Sequence, residues 1–171
     1  MLLITGVPGL GKTTVMRKVK GLLAGKRIRG FLTDEIRNER GERLGFQIET
    51  FDGRVARLAS VELRSPNRVG RYGVDLDALN AVAVPALALE ERAIYLIDEI
   101  GKMECLSGAF IDAVARLLDA DCPVIATVAR RGKGFIAEVK RHPRTETWEV
   151  TRANRDAMPG RIASWLDETR A

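Results

Sequence analysis

A chain of 171 residues, 46% apolar and 30% charged, is long enough to bury the core of one full domain and has the composition of a globular protein. No apolar run reaches the length of a bilayer crossing. Two cysteines and one histidine give neither a disulfide scaffold nor a zinc site, so a reducing cytoplasm is the expected setting. The net charge of +5 suits a polyanionic ligand, nucleotide or nucleic acid, but the basic residues are scattered and aromatics few, so nucleic acid is not indicated.

Met1 to Thr5 is a short apolar run with the pattern of a buried strand. Gly6-Val7-Pro8-Gly9-Leu10-Gly11-Lys12-Thr13, followed by Thr14, matches G-x-x-x-x-G-K-[ST] at every fixed position. From Lys12 a helix is expected, with Val15, Val19, Leu22 and Leu23 on one face and an end near Gly25. The glycines let the backbone wrap a phosphate with its N–H groups turned inward, and the helix N-terminus adds partial positive charge there. Lys12 is expected at the β- and γ-phosphates of a nucleotide, and the Thr13 hydroxyl on Mg²⁺.

Arg27 to Thr33 reads as a second strand. Thr33 to Val61 (33–61) then reads as an antiparallel insertion: a turn at Asn38–Gly41, alternation at Leu44, Phe46, Ile48 and Thr50, and a further strand from Arg54. It either extends the sheet or forms a flap that turns Arg37 or Arg43 toward a ligand. Arg64 to Tyr72 is a basic loop. Asp75 or Asp77 caps a helix through Val82, which Pro85 either breaks or restarts.

Ala93 to Ile97 is an apolar run that ends abruptly in Asp98-Glu99. Buried charge needs partners, and at the C-terminal edge of a parallel sheet such carboxylates emerge in the ligand crevice. Asp98 is expected to hold Mg²⁺. Glu99 is expected to orient and deprotonate a water aimed at the γ-phosphate. The competing reading is a strand end followed by a charged helix cap. The stretch continues Ile100-Gly101-Lys102-Met103-Glu104. Lys102 can pair with Glu99 or touch a phosphate, Glu104 can support the metal shell, and each can equally be a surface residue.

Ser107 caps a helix with Phe110, Val114, Leu117 and Leu118 on its apolar face. Pro123 to Val128 is a further core strand. Thr127 near its end is either a γ-phosphate sensor or a β-former completing its strand. Arg130, in the basic loop to Gly134, is either a cis-acting cation on transition-state charge or a solvated residue. Phe135 to Arg141 is a short helix and Thr145 to Val150 a last strand. Asn154 and Arg155 are candidates for the base. A terminal helix carries Ile162, Trp165 and Leu166, with Pro159-Gly160 able to delay its start. Without repeat or linker, 1–171 reads as a single domain.

Several stretches together resemble the THEP1 family of nucleoside-triphosphatases: T-G-V-P-G-L-G-K-T-T at Thr5 to Thr14, G-F-L-T-D-E-I-R at Gly30 to Arg37, I-D-E-I-G-K-M-E at Ile97 to Glu104, V-I-A-T at Val124 to Thr127 and N-R-D at Asn154 to Asp156. The resemblance implies an α/β fold, a P-loop NTPase three-layer α/β/α domain of the additional-strand, catalytic-glutamate type. In that type the Val124–Thr127 strand lies between the P-loop strand and the Asp98 strand. It further implies Mg²⁺-dependent hydrolysis of several nucleoside triphosphates, with Gly6 through Thr13 on the phosphates and Asp98 to Glu104 at the nucleotide. Two rivals stand beside hydrolysis. One is a small-molecule or polynucleotide kinase with an acceptor at the Arg64–Arg71 or Arg130–Lys133 loops. The other is a nucleotide-switched binding module. Nothing in the sequence sets a base preference or an oligomeric state.

Overall fold

In the computed structural model, which describes residues 1–170, the three continuous apolar runs Leu2–Ile4, Ile94–Ile97 and Val124–Val128 are buried along their whole length. A strand can bury both its faces only when helices cover both sides of its sheet. These runs form the centre of one mixed sheet in a three-layer α/β arrangement. The strands are β1 (Leu2–Thr5), β2 (Ile28–Arg37), β3 (Arg43–Thr50), β4 (Val55–Ser60), β5 (Arg68–Val69), β6 (Tyr72–Val74), β7 (Ile94–Ile100), β8 (Val124–Val128) and β9 (Glu146–Glu149). The helices are α1 (Lys12–Leu22), α2 (Leu76–Ala86), α3 (Gly108–Asp119), α4 (Phe135–Arg141) and α5 (Met158–Arg170).

The strand order is β5-β6-β4-β3-β2-β7-β8-β1-β9. From β2 to β9 every pair is parallel, and β8 lies between β1 and β7. One face of the sheet packs Met16, Val19, Met158 and Ile162 of α1 and α5. The other packs Leu79 and Ala83 of α2 with Phe110 and Val114 of α3.

β2 belongs to two neighbours. From Ile28 to Phe31 it pairs with β7, and from Phe31 to Arg37 it pairs antiparallel with β3. It therefore outruns the expected end at Thr33, because the polar Asp34 and Glu35 rise past the parallel edge and need no cover on both faces. The turn to β3 forms at Asn38, whose side-chain oxygen accepts from the Arg40 and Glu42 N–H groups at 3.0 and 2.9 Å.

Other departures have local causes. α1 ends at Leu22, ahead of Gly25, and the basic loop folds into the β5–β6 hairpin. Asp75 is the cap of α2, accepting from the Ala78 N–H at 2.9 Å. Pro85 neither breaks nor restarts that helix. The Ala81 carbonyl, which Pro85 cannot bond, takes the Arg54 guanidinium at 3.4 Å instead. Pro159 sits in the first turn of α5, where a missing N–H is tolerated, so that helix is not delayed. Among the described residues no helix is long and apolar enough to cross a membrane.

Candidate phosphate site

The first turns of α2 and α3 are closed by their own side chains, Asp75 and Ser107. α1 has no such closure. Its N-cap is Gly11, at φ 101°, with no side chain to offer. The first N–H groups of a helix have no intrahelical partner, and they carry the positive end of its dipole. Here they belong to Lys12, Thr13 and Thr14, all lining one cavity of about 890 Å³ at the C-terminal edge of the sheet. The Lys12 ammonium donates to the Gly6 carbonyl at 3.3 Å and stands 3.8 Å from Glu99 Oε2. A Cβ on Gly6 would come within 2.9 Å of the Val150 carbonyl oxygen, so the chain leaving β9 backs the loop.

Asp98 and Glu99 leave the end of β7 into the same cavity, and the peptide between them is cis. Thr127 donates its hydroxyl to Asp98 Oδ1, and Thr33 donates to the Asp98 carbonyl. Asp98 Oδ2 is buried without a partner. Glu104, on a single 3₁₀ turn, is buried beside them. Gly101 makes the room: a Cβ there would fall 2.7 Å from Glu104 Oε2 and 3.0 Å from Glu99 Oε1.

Three carboxyl groups thus crowd together, and Lys12 offsets the charge of only Asp98 and Glu99. Burial pushes Asp98 up, and the Thr127 and Thr13 hydroxyls and Lys12 pull it back. Burial also raises Glu99, against Lys12 and with Asp98. Glu104 is pushed up to about 8, by burial first and then by the charges of Glu99 and Asp98.

This crowding tests the site for a cation. The orphaned Asp98 oxygen and the Thr13 hydroxyl beside that carboxylate are hard oxygen donors. Among the described residues no group of three or more His, Cys, Asp or Glu could hold a metal by itself. Mg²⁺ is bound by one or two protein oxygens together with substrate phosphates and water. The residues fit: Thr13 and Asp98 would hold it.

The metal-free protein carries a measurable signature. A carboxyl raised from 4.5 to about 8 keeps in the native state a proton that the unfolded chain has lost. Stability therefore falls as pH rises through that window. In urea unfolding with EDTA, Glu104→Gln is expected to make the decline from pH 5 to pH 8 shallower, by on the order of a few kcal/mol. An unchanged slope rejects the assignment.

The remaining expected residues divide. Val7, Pro8, Gly9, Gly101, Lys102, Met103 and Arg130 line the cavity. Leu10 instead packs toward the α1–α5 core, and Ile100 is buried in the opposite core. Membership of a motif does not fix which way a side chain faces. Lys102 forms no pair with Glu99, whose partner is Lys12, and Glu104 is no surface residue. Asn154 and Arg155 lie outside the cavity lining. Asn154 is spent locally, accepting from the Thr151 N–H at 2.8 Å and donating to the Glu149 carbonyl at 2.9 Å. Arg43 does line the cavity, whereas Arg37 turns to Glu35 and the Gly41 carbonyl.

Sequence reading missed Arg17, which pairs with Asp34 at the cavity wall, and Lys140 of α4. The Lys140 ammonium donates to the Ala129 and Arg130 carbonyls at 2.6 and 3.0 Å and so fixes the loop that carries Arg130 and Arg131. No local pattern marks either contact. A larger depression of about 1120 Å³ lies at the opposite edge, lined by Met1, Arg27, Pro123 and Arg144. Its Arg144 is already bonded to the Leu118 and Asp119 carbonyls, and ligands of open α/β sheets bind at the carboxyl ends of the strands.

A family model described as NTPase matches residues 1–163, and the chain belongs to that family. It is 42% identical over 159 residues to the nucleoside-triphosphatase THEP1 of Thermotoga petrophila, covering 92% of this chain and 87% of that one. The crystal structure of THEP1 from the hyperthermophile Aquifex aeolicus superposes with a TM-score of 0.88 at 36% identity, over 97% of this chain and 99% of that one. The solution structure of a human cancer-related nucleoside triphosphatase gives 0.84 at 32%, over 99% and 98%. The family expected from the sequence blocks is thus the one found.

Proposed function

We propose that the protein is a Mg²⁺-dependent nucleoside-triphosphatase of the P-loop, additional-strand type that converts nucleoside triphosphates to diphosphates and phosphate with little choice of base. The position of β8 between β1 and β7 supports the type, with β3 and β4 as its antiparallel insertion. One observation carries the activity: the Glu99 carboxylate stands 3.8 Å from the Lys12 ammonium, in the cavity onto which the uncapped helix opens.

The loop amides and Lys12 bind the β- and γ-phosphates. Glu99 accepts a proton from the attacking water, whose oxygen bonds to the γ-phosphorus as the bond to the β-bridging oxygen breaks. Mg²⁺, when bound, neutralises charge on the phosphate oxygens. Thr127 works through Asp98, holding its carboxylate in place. Arg130 stands on a loop clamped by Lys140 and is our candidate for a cation in cis. Broad base tolerance is supported by the place of Asn154 and Arg155, the two candidates for base reading, outside the cavity lining. Two free thiols, Cys105 and Cys122, suit a reducing cytoplasm.

Phosphate release from ATP, GTP, CTP and UTP tests this reading. All four are expected to turn over with kcat/KM within about tenfold, since discrimination without base-specific bonds stays under about 1.4 kcal/mol. EDTA is expected to stop all four. Binding without phosphate release rejects hydrolysis as the main activity.

A further inference from the structure

The cavity runs past the residues that the proposed function uses. It starts beside α1 and crosses the sheet edge to the opposite face, where Phe46, Val69 and Met103 join the α2–α3 core. β3, which carries Phe46, lies four strand positions from β1, or ~19 Å. Under the proposed function, Glu99 marks the γ-phosphate, the terminal group of the nucleotide. No part of that nucleotide reaches beyond it, so the far compartment is left for something else.

Its walls describe that ligand. Phe46, Val69 and Met103 give a half-buried apolar surface. The Phe46 ring makes a T-shaped contact with Tyr72, centroids 5.2 Å apart, and carries the Arg43 guanidinium over one face at 5.5 Å. Arg43 Nε is a buried donor without an acceptor. Arg17 and Arg43 of the cavity wall are paired with Asp34 and Glu35, but Lys102 and Arg131, on the same wall, make no ion pair among the described residues. The compartment therefore offers an apolar wall, one unmet donor and two unneutralised cations. A nucleobase answers the first two, having apolar faces and acceptors on its edge, and a phosphate answers the third.

We propose that this compartment is a second subsite, binding a nucleoside monophosphate with its base on Phe46, Val69 and Met103 and its phosphate at Arg131 and Lys102. The assignment rests on the proposed function for the placement of the first nucleotide, and the test separates the two. Protein saturated with Mg²⁺ and a non-hydrolysable ATP analogue is titrated calorimetrically with AMP, GMP, CMP, UMP and ribose 5-phosphate.

At least one monophosphate is expected to bind as a further equivalent, with ribose 5-phosphate at least tenfold weaker. Phe46→Ala and the surface change Arg131→Ala are each expected to weaken that equivalent tenfold or more while leaving the analogue's affinity unchanged. Lys12→Ala is expected to do the reverse, losing the analogue and keeping the monophosphate. Loss of both ligands in Lys12→Ala, or binding indifferent to both Phe46→Ala and Arg131→Ala, overturns the subsite. So does absence of any monophosphate binding to loaded protein. If the analogue itself fails to bind, the proposed function fails, and the Phe46 and Arg131 variants still decide the subsite on unloaded protein.

Discussion

Glu99→Gln is expected to lower kcat for every nucleoside triphosphate by roughly 10²–10⁴-fold, the usual contribution of a positioned general base. The substitution keeps the shape of the side chain and removes the proton acceptor. Its effect on binding should be small and favourable. Lys12 now shares its charge with Glu99 at 3.8 Å, and neutralising that partner frees the ammonium for phosphate. Nucleotide affinity is therefore expected to be equal or tighter while phosphate release nearly stops. Calorimetry beside a phosphate assay reads both quantities. A variant that binds and still hydrolyses at the parent rate removes Glu99 from the chemistry and moves attention to Glu104, the next carboxylate in the cavity.

Gly30→Ala is expected to be the most damaging conservative change in the sheet. Gly30 pairs with Leu96 where β2 meets β7, at φ 106°. A Cβ there would fall 2.0 Å from the Leu96 carbonyl oxygen, which belongs to the backbone of a central strand and cannot swing aside. Strain and overpacking together are expected to cost roughly 3–5 kcal/mol. Against a typical total of about 5–15 kcal/mol, that puts the variant near the limit of folding. Gly25→Ala supplies the control. It also has positive φ, 83°, but open space around it, so it should lose only about 1–2 kcal/mol. Equal urea midpoints for the two variants would show that the strands can separate to admit a methyl group.

Much of the site was legible because its chemistry is local in the chain. The glycine spacing, Lys12 and Thr13 lie within one loop and one helical turn, and Asp98-Glu99 interrupts an apolar run. The place of β8 was not readable from periodicity, since a buried strand carries no mark of its neighbours. It followed from the resemblance alone. Phe46 reaches the cavity, and Lys140 the loop beside it, through contacts distant in sequence, and on their own segments they look like ordinary hairpin and helix residues. The length of β2 escaped for a related reason. A strand that changes partners midway also changes its burial pattern, so its upper half resembles a loop. Pro85 shows the same limit, for its tolerance depends on Arg54, far away in the chain.

The missing cap of α1 has a consequence outside catalysis. α2 and α3 complete their first turns with residues of their own, but the first N–H groups of α1 are left to water or to an anion from solution. Every anion that settles there adds to the apparent stability in proportion to the logarithm of its concentration over its dissociation constant. Phosphate and sulfate buffers then act as ligands of the loop rather than as inert salts. Melting temperatures collected in different buffers rank the occupancy of that helix end as much as the strength of the fold. The buffer that keeps the protein longest on the shelf is also the one that competes with its substrate.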